Sequence, residues 1–421
     1  MSQTDGNYDV LVWGATGTAG SLVAAHLTDY HSPEELSLAL GGRSEERLAA
    51  VAADCEANTE WDDIPLVIGD ATEPDRLREI AATTDVVCTT VGPYTTYGTP
   101  LVAACVETGT DYCDLTGEVT WVREIVDEYH DAAVAADARI VTGCGFDSVP
   151  ADLGTALAQE YALETDDAPC DTVRIYLEDV IGGVSGGTLA SGAELFAAAS
   201  NDREARRTLA NPYSIAPPGE REGPDEGEQA APRRDPLRPG WTGPSPMAPI
   251  NERVVRRSNA LLDYPWGRAF DCTEVIPTGT GVGGAAAAGA VAAGAGLATV
   301  AMSVDPVREL LRDHVFPDPG EGPSEETIEN GRFTVRVLGR GTGEDGPFTV
   351  AAEIGADRDP GYGATAKMLG ESAVALCRDA ADAPLSGGVL TPATGIGTGL
   401  ADRLRDVGMT VSVGDYEADA E

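Results

Sequence analysis

From residue 8 to about residue 145, short apolar runs alternate with stretches whose apolar positions recur at helical spacing. YDVLVW, LSLAL, IPLVI, DVVCTTV, DYCDL and ARIVTG are too short for helices, so each reads as a strand. Between them, TAGSLVAAHLTDY, SEERLAAVAADCEA, EPDRLREIAAT, GTPLVAACVETG and VTWVREIVDEYHDAAVAAD read as helices. Apolar strands alternating with helices predict an α/β domain over residues 1–150, built on a doubly wound parallel sheet.

Beyond residue 150 the alternation fades. DTVRIYLED reads as a strand and TLASGAELFAAASN (188–201) as a helix. Residues 212–250 hold ten prolines and many charges, which predicts a long loop or lid. ERVVRRSNALL, FDCTEVI, RFTVRVLGRG and PFTVAAEIGA read as an antiparallel set of strands, and YGATAKMLGESAVALCRDA as a helix. These predict a second, mixed α+β domain over 151–385 for substrate binding or dimerisation, with a homodimer allowed for. The segment 386–421 reads as a loop, a helix and a strand, and is expected to pack back on the first domain. Between Glu274 and Asp305 there is no charge, and 281–302 is rich in Ala and Gly. Its length could cross a bilayer, but Ala and Gly are weakly apolar and no aromatic or Arg anchor adjoins it. The expectation is a close-packed internal helix or a surface for a greasy substrate, with contact to a lipid surface rather than a span as the alternative.

Charge narrows the partners. The 421 residues carry 70 Asp plus Glu against 28 Lys plus Arg, a net charge of −42. Nucleic acid is excluded as a partner, since phosphate binding needs clustered cations, and an anionic membrane surface is disfavoured on the same ground. Lys367 is the single lysine. Acidic residues spread along the whole chain, with arginine nearly replacing lysine, suggest a surface adapted to concentrated salt, where self-repulsion is screened. The eight cysteines contain no CxxC pair and the four histidines are scattered, so no metal site is expected. No charged and then apolar leader opens the chain, which predicts a cytoplasmic protein with reduced cysteines.

The chemistry starts at LVWGATGTAGSLVAAHL. Gly14, Gly17 and Gly20 lie between a strand and a helix, the context a dinucleotide-binding turn requires. The first glycine makes the turn, the second admits a pyrophosphate, and the third lets the helix pack on the sheet. Gly14, Ala15, Thr16, Gly17, Thr18, Ala19 and Gly20 are therefore assigned to a cofactor, with the helix N–H groups facing the phosphates. An NAD site carries an acid at the tip of the second strand. Here the tip holds Arg43, which suits a 2′-phosphate, so NADP(H) is expected, with NAD(H) as the alternative. Asp70 and Ala71 follow the third strand and are placed near the adenine; Val91, Gly92, Pro93 and Tyr94 follow the fourth and are placed near the nicotinamide. Asp70 could equally cap the next helix.

WGATGTAG, LGGRSEERL, VGPYTTYGTPLVAACVETGTDYCDLTGE and GCGFDSVPADLG together resemble the saccharopine dehydrogenase-like NADP-binding family, on its trans-acting enoyl reductase branch. The resemblance covers about the first 155 residues, returns in SGGTLASG and GGVLTPATGIGTGLADRLRDVGM, and is faint from 205 to 385. It implies a Rossmann domain, a second α/β domain and hydride transfer from a reduced nicotinamide. Enoyl reduction needs an enolate stabiliser and a proton donor. Tyr94, Asp114, Thr116, Glu118, Cys144 and Asp147 lie on loops after strands. Tyr94 and Asp147 are the assigned catalytic pair, Tyr94 as donor. The short-chain reductase pattern of a Tyr four before a Lys is excluded, since Gly363 holds that place before Lys367. GVSGG (183–187) fits a hydrolase elbow, but the strand before it carries Arg174, Glu178 and Asp179, and His314 is the one histidine after it.

The expected substrate is a small, apolar, lipid-like or isoprenoid enoyl compound. Saccharopine-type C=N/C–N chemistry is the alternative, for which Arg253, Arg256 and Arg257 would be the carboxylate ligands. A non-catalytic NADP-binding protein is a further one.

Overall fold

The computed structural model describes residues 7–57, 59–182, 202–225, 227–304, 306–308, 310 and 322–416. The first unit runs β1 (Tyr8–Trp13), α1 (Thr18–Tyr30), β2 (Leu38–Gly42), α2 (Glu45–Glu56), β3 (Leu66–Ile68), α3 (Pro74–Ala81), β4 (Thr84–Thr89), α4 (Tyr94–Thr108), β5 (Asp111–Cys113), α5 (Val119–Ala136) and β6 (Arg139–Val141). Then follow α6 (Val149–Asp166), β7 (Cys170–Ile181), α7 (Arg203–Ala210), β8 (Arg233–Arg234), β9 (Trp241–Pro244), α8 (Ala248–Leu261), β10 (Asp271–Gly279), α9 (Gly281–Ser303) and α10 (Glu325–Asn330). The chain closes with β11 (Arg332–Gly343), β12 (Gly346–Ala356), a wide helical turn at Pro360–Ala364, α11 (Thr365–Arg378), β13 (Gly388–Leu390), α12 (Pro392–Gly395), α13 (Leu400–Asp406) and β14 (Thr410–Asp415).

Two seven-stranded sheets result. The first has the order β13-β6-β5-β4-β1-β2-β3 with every pair parallel, the doubly wound arrangement that the alternation predicts. Its switch point lies between β1 and β4, where such sheets bind ligands beyond the strands' carboxyl ends. The second has the order β14-β12-β11-β7-β10-β9-β8 and is mixed, with β7 and β10 parallel and the other pairs antiparallel. Helix α6 lies on β11 and β12 and also meets α8 and α12. One apolar core joins the two sheets through it, including Val10, Leu153, Val173, Val337 and Leu376. Asp152 on α6 is fully buried; it accepts from Ser258 Oγ (2.5 Å) and Ala393 N (2.8 Å), tying α6 to α8 and α12. Burial pushes its carboxyl up to about 6.

The structure corrects several expectations. ERVVRRSNALL is not a strand: residues 248–261 form α8, opened by Pro249 in the first turn. Its adjacent valines mimic a strand, yet Arg253, Arg256 and Arg257 at i, i+3 and i+4 share one helical face. The proline-rich 212–250 stretch is not a loose lid. It contributes β8, β9 and the start of α8, and Ser214, Ile215 and Ala216 are buried. Helix α11, placed by sequence in the second domain, packs on α1, β1, β4 and β5 of the first. The final segment divides, β13 joining the first sheet and β14 the second. The charge-free 281–302 stretch forms α9, but not an internal helix: Gly284 and Ala288 alone are buried. The 188–201 helix and the GVSGG elbow lie outside the described residues.

Glu371 on α11 holds that helix to α1. It is buried, and its Oε1 meets His26 Nε2 at 2.9 Å and His31 Nε2 at 3.0 Å. Burial alone would raise its pKa, but the two histidines outweigh burial and hold it at about 2. Lys367, one turn earlier, is half-buried, with its ammonium donated to the Val407 carbonyl and 5.3 Å from the Tyr30 ring.

Because the folded carboxyl of Glu371 titrates below its unfolded value, it stabilises the protein above about pH 4.5, and that contribution fades as pH falls toward 2. Glu371→Gln is expected to destabilise the protein at pH 7 and to flatten stability between those limits, with burial holding His26 toward its neutral form. Urea unfolding at stepped pH measures both.

Candidate active site

The glycine turn is built as its chemistry demands. Gly14 takes φ +93°, a region that favours glycine, and its N–H donates to the Gly41 carbonyl at 2.9 Å. Gly17 N donates to the Gly14 carbonyl at 3.0 Å, closing the turn into α1. A Cβ on Gly20 would overlap the Gly14 carbonyl oxygen and stand 2.8 Å from Thr90 Oγ1. A Cβ on Gly17 would meet nothing nearer than 3.5 Å, so the turn is open on that side. Below it, the Trp13 ring lies against Gly41 and Gly69, at the ends of β2 and β3. Gly322 packs beside Thr18.

Helices α1 and α4 start beside the switch point, after β1 and β4, and their N-termini differ. Among the described residues no side chain caps α1. At α4, the Glu118 carboxylate accepts Tyr94 N at 2.9 Å and Thr95 N at 2.8 Å, and also the Thr95 hydroxyl. A negative charge already occupies the α4 terminus, so of these two it is α1 that can receive an anion. Arg43, at the tip of β2, is exposed and has no hydrogen bond or ion pair among the described residues. Its charge reaches Asp70, whose pKa is lowered first by the Thr72 N–H and hydroxyl. Asp70 Oδ1 accepts those groups at 2.9 and 2.7 Å, so this carboxylate braces the turn after β3. Ala71 beside it is buried.

The open side of Gly17, the uncapped α1 and the unpaired Arg43 guanidinium fit a dinucleotide with a 2′-phosphate. Residues 14–20 would hold its pyrophosphate and Arg43 its extra phosphate. Val91, Gly92 and Pro93, partly exposed after β4, would border the nicotinamide.

The catalytic assignment changes. Tyr94 is buried against Trp121 (ring centroids 5.4 Å), its hydroxyl donates to the Thr89 carbonyl, and it accepts Leu115 N, each at 3.2 Å. Burial, reinforced by Asp114, raises its pKa well above the usual tyrosine value. Tyr94 therefore ties two loops together and is corrected here from proton donor to scaffold. Asp114 is likewise enclosed: Tyr112 Oη (2.8 Å), Thr116 N (3.0 Å) and Gly143 N (2.9 Å) donate to it. Burial outweighs these donors and lifts its pKa to about 7. The Thr116 hydroxyl accepts Glu118 N at 3.1 Å, and the Cys144 thiol is buried.

Asp147 differs from all of these. It follows β6, is half-buried, and its Oδ1 lies 3.3 Å from where a Cβ on Gly117 would stand. Its carboxyl is pushed up to about 6 by burial, offset in part by its own N–H. Phe146, beside it, donates its N–H to Thr365 Oγ1 (3.0 Å) and meets the Phe333 ring edge-on at 4.9 Å, which joins this loop to the second sheet. Thr90, just after β4, and Thr365, at the start of α11, escape the sequence reading, since a single threonine carries no pattern.

The candidate carboxylate ligands are spent internally. Arg253 donates to the carbonyls of Leu209 (2.6 Å) and Asn211 (3.2 Å) and pairs with Glu228. Arg256 donates to Glu252 and the Cys272 carbonyl, each at 2.9 Å, and pairs with Asp225. Arg257 donates to the carbonyls of Ile215 and Val389. Burial depresses the Arg257 pKa to about 9. All three are buried and pin the proline-rich stretch onto α8. No cluster of metal-ligating side chains occurs among the described residues.

Comparison with known proteins matches residues 10–141 to the saccharopine dehydrogenase NADP-binding domain. A trans-acting enoyl reductase of Mycobacterium bovis (strain BCG / Pasteur 1173P2) is 39% identical over 427 residues, covering 98% of this chain and 99% of that protein. A trans-acting enoyl reductase of Mycobacterium ulcerans (strain Agy99) is 38% identical over 426 residues with the same coverage. Saccharopine dehydrogenase (L-Glu forming) from Saccharomyces cerevisiae shares the fold across 98% of this chain and all of its own, with a TM-score of 0.55 and 14% identity.

Two substitutions test the cradle by thermal shift and by titration of nucleotide fluorescence. Arg43→Ala is expected to weaken NADPH about tenfold, roughly 1.4 kcal/mol, and to leave NADH unchanged. Gly20→Val forces α1 off the Gly14 carbonyl, so both nucleotides should fail to stabilise it.

Proposed function

The chain belongs to the trans-acting enoyl reductase family and is an NADP-binding oxidoreductase, and on that footing we propose that it reduces the C=C bond of an uncharged, lipid-like enoyl substrate. Bound NADPH supplies a hydride. The chain's own work is then to orient the acceptor, keep water out and deliver one proton to the α-carbon as the β-carbon receives the hydride. Asp147 is the proton donor in this reading. Its partly desolvated carboxyl lies at the carboxyl end of β6, and a value of about 6 keeps it partly protonated near neutrality. Asp114 and Glu118 hold the surrounding loops through backbone N–H groups.

One observation carries the choice of an uncharged substrate. Arg253, Arg256 and Arg257 are all buried and committed within the chain, so this cluster offers no cation to a polycarboxylate such as saccharopine. The acidic, arginine-biased composition supports work in concentrated salt inside the cell, and the described cysteines are free thiols, seven of them buried.

The test follows loss of the reduced nicotinamide absorbance in molar potassium chloride. An enoyl thioester should be turned over and the saccharopine-forming imine should not; the reverse preference refutes the proposal. Asp147→Asn is expected to lower kcat by about 10²–10⁴-fold while leaving NADPH affinity unchanged. In the unsubstituted enzyme kcat should fall as pH rises through about 6, because the acid is then lost, and the variant should lack that limb.

A further inference from the structure

Helix α9 is out of place in water. It runs 23 residues, about 34 Å at 1.5 Å per residue, without a charge. Its first half rests on β9 and β10, where Val291 meets Gly243. From Ala293 to Val300 every residue is exposed, and Gly289, Gly294 and Gly296 have nothing near them. Glycine inside a helix costs about 1 kcal/mol relative to alanine, so a bare overhang of this composition needs a cover.

The placement of the bulky residues says what the cover is. At 100° per residue, Gly284, Ala288 and Val291 fall on the face against the sheet. Val282, Leu297 and Val300 fall on the opposite face, exposed by 87%, 71% and 63%. Along that outer face Ala286, Gly289, Ala293, Leu297 and Val300 recur at spacings of three and four, the seam of a helix that meets another helix. The small residues occupy its first half and the large ones its second.

We propose that α9 pairs antiparallel with α9 of a second copy of this chain. With the two helices crossing at the level of Ala295, Leu297 of each copy falls opposite Ala293 of the other, and Val300 opposite Gly289 and Ala290. Large meets small twice over, as a two-fold interface requires. Gly289 and Ala293 on the seam let the backbones approach closely. The pairing also brings two chains of net charge −42 together along the longest stretch of sequence free of charge. A lipid surface fits less well. Ala and Gly gain little from hydrocarbon, and the charges at Asp305, Arg308, Glu309, Arg312 and Asp313 directly follow the helix.

Light scattering on the full chain in molar salt should give about twice the 43.5 kDa of one copy. Ala293→Asp and Leu297→Arg should each produce monomer, with unchanged circular dichroism and NADPH binding. The double variant should recover dimer, because the introduced carboxylate of one copy then faces the introduced guanidinium of the other. A monomeric unsubstituted protein, a dimer indifferent to both single changes, or a monomer that floats with phosphatidylcholine vesicles would each overturn the proposal. None of these readouts depends on the identity of the reduced substrate.

Discussion

The contact between Gly20 and the carbonyl of Gly14 sets the distance between α1 and the end of β1. Everything at the carboxyl edge inherits its geometry. A side chain at residue 20 would lift the helix away, and the uncapped N–H groups would no longer point across the turn. Thr90 backs the same carbonyl from β4. The turn is thus held by three consecutive neighbours in the sheet, because Gly41 of β2 accepts from Gly14 on the other side. A phosphate cradle of this kind is rigid before any ligand arrives, so little ordering is required on binding.

The second sheet is joined to the first by buried polar groups as well as by apolar packing. Asp152 reaches α8 and α12 from α6, and Arg257 reaches the carbonyls of Ile215 and Val389 from α8. Such groups fix one arrangement, since a displaced partner leaves a buried charge or carbonyl unpaired. The family relationship fits this economy. Relatives keep the whole length in common, whereas the yeast saccharopine dehydrogenase shares the fold at low identity.

What could be read from the chain alone was what depends on local period. The first six strands and five helices each carry their own apolar rhythm, and the glycines at 14, 17 and 20 mark their turn without outside help. What escaped was set by distant partners. Arg253, Arg256 and Arg257 look like free cations in sequence, and only the folded proline-rich stretch turns them into buried pins. Tyr94 stands in the right loop, yet the Thr89 carbonyl and the Leu115 N–H claim its hydroxyl. Glu118 is a carboxylate beside a predicted cleft until the start of α4 comes within reach of it. The outward face of α9 was invisible for another reason: composition reports that a helix is apolar, but not which side of it the sheet covers.

The near-absence of lysine has a chemical side beyond charge. Activated acyl thioesters modify exposed lysine amines without any enzyme, and arginine guanidinium groups resist that attack. Lys367 is the one lysine, and its ammonium is turned onto a carbonyl at the end of α13 and over the Tyr30 ring. A surface that solvates itself with carboxylates and guanidinium groups is therefore also one that reactive acyl groups leave unmarked.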